Sequence, residues 1–198
     1  MSLSTVFGSN LTTTQFTVKP TEKTLLNRLD FQNGYTEPDF EKALREEIKF
    51  EESSITNNGC VLSVKPNSTH FVIGETITFS YDVITANQKI DLSKTITNNL
   101  TEVLAVDLWS LSVEEAKTYV AEKFAEEFKL PSVNQLIIKN FNYNENEAIR
   151  QRISTLTIEP SPESNLYLAG IAKQTSFDFK PLLNRVLRNT QNIQIGAS

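Results

Sequence analysis

The chain is poor in the residues from which most active sites are built. Its 198 residues include one cysteine, Cys60, one histidine, His70, one tryptophan and one methionine. A lone cysteine forms no internal disulfide. One cysteine and one histidine cannot complete the ligand shell of a structural zinc site. The polar run Asn142 to Glu147 lacks the glycine a calcium loop requires. Only six glycines occur, none in a phosphate-cradling pattern, so neither a dinucleotide site nor a P-loop is expected. No apolar stretch approaches the roughly 20 residues of a membrane span. Met1 to Asn10 has no basic residue and no apolar block, so no secretory signal is expected. No run of Lys or Arg exceeds two, and 19 basic against 24 acidic residues leave a net charge of −5. A nucleic-acid binder usually shows a basic face, so no direct nucleic-acid contact is expected. No metal, cofactor or membrane partner is implied.

What is present is an internal repeat. Glu46-Glu47-Ile48-Lys49-Phe50 is echoed by Glu126-Glu127-Phe128-Lys129-Leu130. Leu62-Ser63-Val64-Lys65-Pro66 is echoed by Leu156-Thr157-Ile158-Glu159-Pro160. Gly74 and Ser80-Tyr81-Asp82-Val83 match Gly170 and Ser176-Phe177-Asp178-Phe179 at equal spacing. The order is the same in both halves, which points to duplication of one small module. A shorter echo joins Phe16-Thr17-Val18-Lys19-Pro20, leading to Leu25-Leu26-Asn27-Arg28, with Phe177-Asp178-Phe179-Lys180-Pro181 and Leu182-Leu183-Asn184-Arg185. Hydrophobic residues make up 39% of the chain, and two thin cores suit that share better than one deep core.

The first helix is expected from about Pro38 to Phe50, with Thr36 as N-cap and Phe40, Leu44 and Ile48 as its apolar stripe. The second is expected from Val113 to Lys129. Ser112 and Glu115 form a capping box, Ala116, Val120, Phe124 and Phe128 form the stripe, and Pro131 ends it. Val103 to Leu111, with Trp109, is expected to cover an edge of the core. After each helix the period falls to two. Leu62 and Val64, then Ile77, Phe79, Tyr81 and Val83, alternate with polar residues as half-buried antiparallel strands do. Leu156, Ile158, Leu166, Leu168, Phe177 and Phe179 are the second set. Leu136 to Ile153, rich in asparagine from Asn140 to Asn146, is expected as an exposed excursion. The reading is therefore α+β: two tandem related modules, each a helix packed on a small antiparallel sheet, with extended terminal arms. Residues 1–20 form an N-terminal arm or first strand, 21–87 module 1, 88–180 module 2 and 181–198 a short helix and tail. Residues 84–100 bridge the modules, with the junction at Asn87-Gln88. Both chain ends are polar, bury little of themselves and are expected to be gripped by neighbouring chains.

Candidate catalytic residues are few. His70 stands at an expected strand start, where a surface role outweighs a catalytic one. Cys60 sits in an apolar alternation, as a small buried hydrophobe does. The two could face each other across a hairpin as a nucleophile and base, which leaves a hydrolase as a remote alternative. The paired carboxylates Glu46-Glu47, Glu114-Glu115 and Glu126-Glu127 are expected on solvated helix faces. The 12 Phe, 5 Tyr and 1 Trp fall mostly at core positions and do not interleave with a basic run.

Gly74-Glu75-Thr76-Ile77-Thr78-Phe79-Ser80-Tyr81-Asp82, followed by Ile90-Asp91-Leu92-Ser93, resembles small α+β modules of tailed-bacteriophage virion proteins. Gly170 to Phe179, with Lys180-Pro181-Leu182, resembles a degenerate second version. The resemblance spans about half the chain and carries over no functional residue. It implies a structural role in a virion: capsid decoration, neck or collar, baseplate or fibre attachment. The expected partners are other virion proteins and copies of the same chain, met through terminal arms and sheet edges, after synthesis in the host cytoplasm. A bacterial surface or receptor-binding module is the alternative.

Overall fold

The strongest local signal in the sequence becomes the longest helix. A computed structural model of the chain describes residues 1–8, 14–31, 37–105, 111–142 and 153–180. Helix α5, numbered in chain order, runs Val113–Phe128. Ser112 Oγ accepts from Glu115 N at 3.3 Å, and the Glu115 carboxylate accepts from Ser112 N at 2.8 Å, closing the capping box. Lys129 turns left-handed at φ 53°, and Leu130 N donates to Ala125 O at 2.8 Å, so the helix ends one residue earlier than expected. All four stripe residues are buried, and so is Ala121.

The chain forms two compact units, Met1–Thr95 and Ile96–Ser198. The first contains α1 (Leu3–Phe7), β1 (Gln15–Phe16), α2 (Glu22–Arg28), α3 (Pro38–Glu46), β2 (Ile48–Phe50), β3 (Gly59–Val64), β4 (Thr76–Ser80), β5 (Asp82–Val83) and α4 (Leu92–Thr95). The second contains β6 (Asn99–Ala105), α5, β7 (Leu136–Asn142), β8 (Ile153–Pro160) and β9 (Lys173–Lys180). The fold is mixed α+β.

In the first unit β2, β3 and β4 form an antiparallel meander, with Phe50 opposite Leu62 and Leu62 opposite Ile77. β5 resumes after Tyr81 and pairs in parallel with β1. In the second unit the sheet order is β6-β9-β8-β7. Its strands β7, β8 and β9 are an antiparallel meander, and β9 pairs in parallel with β6. Each unit thus runs from a helix into a three-stranded meander; in the first, β5 follows the meander and pairs with β1 in a separate two-stranded sheet, whereas in the second the last meander strand, β9, itself pairs with β6.

Several sequence expectations are corrected. α3 stops at Glu46, not Phe50, because Ile48-Lys49-Phe50 pairs with Leu62 to Val64 as a strand. Leu44 and Ile48 are both buried, but the four-residue spacing joins a helix to a strand. Thr36 lies outside the described residues, and Glu37 holds the N-cap position. Leu136 to Asn142 is not an excursion: it is the edge strand β7, paired with β8 through Ile138 and Ile158. Leu166 and Leu168 do not supply the core there. Tyr167 between them is fully buried, its hydroxyl donating to Pro131 O, while Leu168 is 41% exposed. Residues 99–105 of the expected bridge and edge cover form β6, and Trp109 lies outside the described residues. The N-terminal stretch buries more than its polarity implied. Leu3, Val6 and Phe7 are fully buried on α1, with Phe7 stacked 6.0 Å from Phe71.

The division between units falls at Thr95, beyond Asn87-Gln88. Gln15 Oε1 accepts from Asp91 N at 2.9 Å and from Thr95 Oγ1 at 3.4 Å, which holds α4 to β1. Residues 181–198 lie outside the described residues. No helix among the described residues is long and apolar enough to cross a membrane.

Candidate functional site

Cys60 and His70 have separate partners. Cys60 stands opposite Phe79 inside the β3–β4 pair and is 2% exposed. Burial pushes its thiol up to about 12, against a weaker opposing hydrogen bond with Tyr81, so the thiolate of a cysteine nucleophile is disfavoured. Tyr81, in turn, donates its hydroxyl to Thr56 O at 2.9 Å and Gly59 O at 3.0 Å. His70 lies on the loop between β3 and β4 rather than at a strand start. Its Nδ1 meets Glu47 Oε1 at 2.7 Å, and its ring stands edge-on to Phe40, 5.4 Å away.

Glu47 gathers five hydrogen-bond contacts among the described residues of the first unit. It caps the end of α3, where a carboxylate faces the negative end of the helix dipole. Its side chain is only 14% exposed, against the expectation of a solvated face. Glu47 accepts from Ser68 Oγ at 2.6 Å, Thr69 Oγ1 at 2.9 Å, Thr69 N at 3.1 Å and His70 N at 2.9 Å, besides the ring nitrogen. Burial works against its ionisation. The hydrogen bonds from Ser68, from His70 and from Thr69 outweigh it and hold the carboxyl well below the usual range. The result is a clamp from the helix end to the β3–β4 loop. With its acceptor sites filled, the carboxylate is placed to hold that loop, not to move a proton. Nothing in the sequence pointed to this clamp, because Glu47 was expected inside a helix running to Phe50.

Two turns match across the units. Glu75 N donates to Val72 O at 3.2 Å around Gly74 at φ +88°, and Ile171 N donates to Leu168 O at 3.4 Å around Gly170 at φ +74°. A positive φ at the third residue is what a type II turn demands. Each turn opens on an exposed apolar residue: Val72 is 59% exposed and Leu168 41%.

The second unit carries a groove of about 360 Å³ between α5 and the edge strand β7. Lys117, Thr118 and Ala121 form its helix side, and Leu136, Ile137 and Ile138 its strand side. Ala121 and Ile138 are nearly buried at its base, while Leu136 and Ile137 are half-buried. A neighbouring hollow on α5 of about 400 Å³ is lined by Glu114, Glu115 and Glu122 with Tyr119. The sequence offered no sight of this groove, because it read β7 as a loop.

No group of three or more His, Cys, Asp or Glu able to hold a metal ion occurs among the described residues. Comparison with protein-family models, with curated proteins and with solved structures returns no match.

Proposed function

We propose that the chain is a non-enzymatic structural subunit of a large assembly, of the tailed-bacteriophage virion kind: capsid decoration, neck or collar, baseplate or fibre attachment. The observation that supports this reading is the partial match between the sequence echoes and the elements of the two units. Glu46 to Phe50 falls on the end of α3 and on β2, Glu126 to Leu130 on the last turn of α5 and its cap, and the other echoes on β3 and β8 and on β4–β5 and β9. The glycine turns before β4 and β9 share backbone conformation and hydrogen bond. Their registers differ by an even step: Leu62 faces the residue three beyond Gly74 (77 − 74), and Leu156 the residue five beyond Gly170 (175 − 170). A two-residue step leaves every side chain on the same face of the sheet, so it preserves the core. We read this as tandem duplication, which lets one chain present two similar faces to quasi-equivalent neighbours.

In this reading terminal arms and sheet edges make the contacts, as strands added to an exposed edge do elsewhere. The partners are other virion proteins and further copies of the chain. The resemblance around Gly74 to Ser93 supplies the virion context. The separate partners of Cys60 and His70 favour a structural role over the hydrolase alternative. The test is peptide mass spectrometry on particles purified by density gradient from the source culture. Co-sedimentation with particles at a fixed stoichiometry is expected. Recovery only in the soluble fraction, with binding to cell-surface glycan or protein, overturns the reading in favour of a receptor-binding module.

A further inference from the structure

We propose that the outer edge of β7 and the groove beside α5 accept residues 193–195 of a second copy as an added strand. The inference rests on the structural-subunit reading, which makes a neighbouring copy the donor.

β7 is the last strand in the order β6-β9-β8-β7, and among the described residues no strand pairs with its outer side. A strand edge leaves a row of backbone donors and acceptors that a second chain can complete. The usable edge is short. Pairing between β7 and β8 shifts register between Lys139 and Asn142, and Asn140 adopts φ +51°. Such a bulge breaks a regular edge, and an edge lysine discourages pairing. What remains open is Leu136-Ile137-Ile138, bordered by the groove.

The chain contains a segment of matching length and pattern. Ile193-Gln194-Ile195 alternates apolar and polar with period two, between polar residues on one side and Gly196 on the other. Placed along Leu136 to Ile138, it turns both isoleucines to one face of the sheet. The face with a vacancy for them is the one under α5, lined by Ala121, Leu136 and Ile138. Charge agrees with this docking. Residues 181–198 contain Arg185 and Arg188 and no acidic residue, whereas the hollow beside the groove carries Glu122 together with Glu114, which pairs with the groove's Lys117, and Glu115, which closes the capping box. Arg188 precedes Ile193 by five positions, roughly 17 Å of extended chain, which reaches from the groove along α5.

The test uses the full chain with Ile193→Asp and Ile195→Asp, which can accept a segment but not donate one, and a synthetic peptide spanning residues 185–198. The variant is expected to sediment as a single copy while the wild-type chain is larger. Added peptide should slow hydrogen exchange at the outward amides of Leu136 to Ile138 about tenfold or more, and should bind less well as salt rises. Retention of the wild-type mass by the variant overturns the proposal but leaves the structural-subunit reading standing. So does peptide binding that leaves those amides unchanged. A wild-type chain that is a single copy, with β7 amides slower than in the variant, makes the donor its own tail and overturns the second-copy assignment. A single-copy wild-type chain with unprotected β7 amides overturns both.

Discussion

At the scale of single residues, Glu47 shows how a group placed against one rule serves another. Its position at the C-terminal end of α3 is unfavourable by the dipole, yet Ser68, Thr69 and His70 surround it with donors. Hydrogen bonds to a charged group contribute about 1.5–3 kcal/mol each at most, and losing one partner strands the rest. Glu47→Gln keeps the shape but removes the charge. It is expected to destabilise the first unit by about 1–3 kcal/mol at pH 7, measured by denaturant unfolding. The pH dependence follows from the direction of the shift. A carboxyl whose folded pKa is depressed adds stability above its unfolded value, about 4.3 for glutamate, and loses it as pH falls toward the folded value. The gap between wild type and Glu47→Gln should therefore narrow steadily below about pH 4.3. Parallel stability curves down to pH 3 contradict the clamp. Of these features, the burial of Cys60 was legible from alternation alone. The Glu47 clamp was not, because its donors lie 21 to 23 residues away on a loop whose position the β3–β4 hairpin sets.

At the scale of elements, the turn glycines separate conformational from steric demands. Gly74 and Gly170 have positive φ, and an added Cβ meets nothing within 4 Å. Alanine at either is thus resisted by backbone conformation alone, about 1–2 kcal/mol. Gly59 is the reverse case. It needs no special φ, but a Cβ there lies 2.8 Å from Phe79 O, a backbone atom that moves only with its strand. Gly74→Ala and Gly170→Ala should lower stability by similar amounts, and Gly59→Ala should also disturb the β3–β4 pairing, seen as faster exchange at amides around Gly59 and Ser80. Equal stability of wild type and Gly170→Ala sinks the matched-turn interpretation. The elements most legible in the sequence were those with purely local causes: α5, with its capping box and stripe, and β4, with strict alternation. β2 and β7 were misread because tertiary pairing decides short segments, and a four-residue spacing shared by Leu44 and Ile48 does not reveal the helix end between them. Tyr167 escaped because the leucines on either side looked like better core residues. A tyrosine whose hydroxyl finds a carbonyl can take the buried position.

At the scale of the whole molecule, the mixed α+β character was legible in the sequence, because each long helical period gives way to a period of two. The partners of the chain are less legible, since an edge strand or an exposed turn shows where contact can form and not with what. In the proposed reading, neighbours attach at the outer side of β7, unpaired among the described residues, and at the exposed apolar turns of Val72 and Leu168. The direct measurement is the mass of the full chain in solution, by sedimentation over a wide range of concentrations. A multiple of the 22.3 kDa chain mass, growing with concentration to a defined multimer, is the expected result. A single 22.3 kDa species at every concentration contradicts assembly through the chain's own arms and edges.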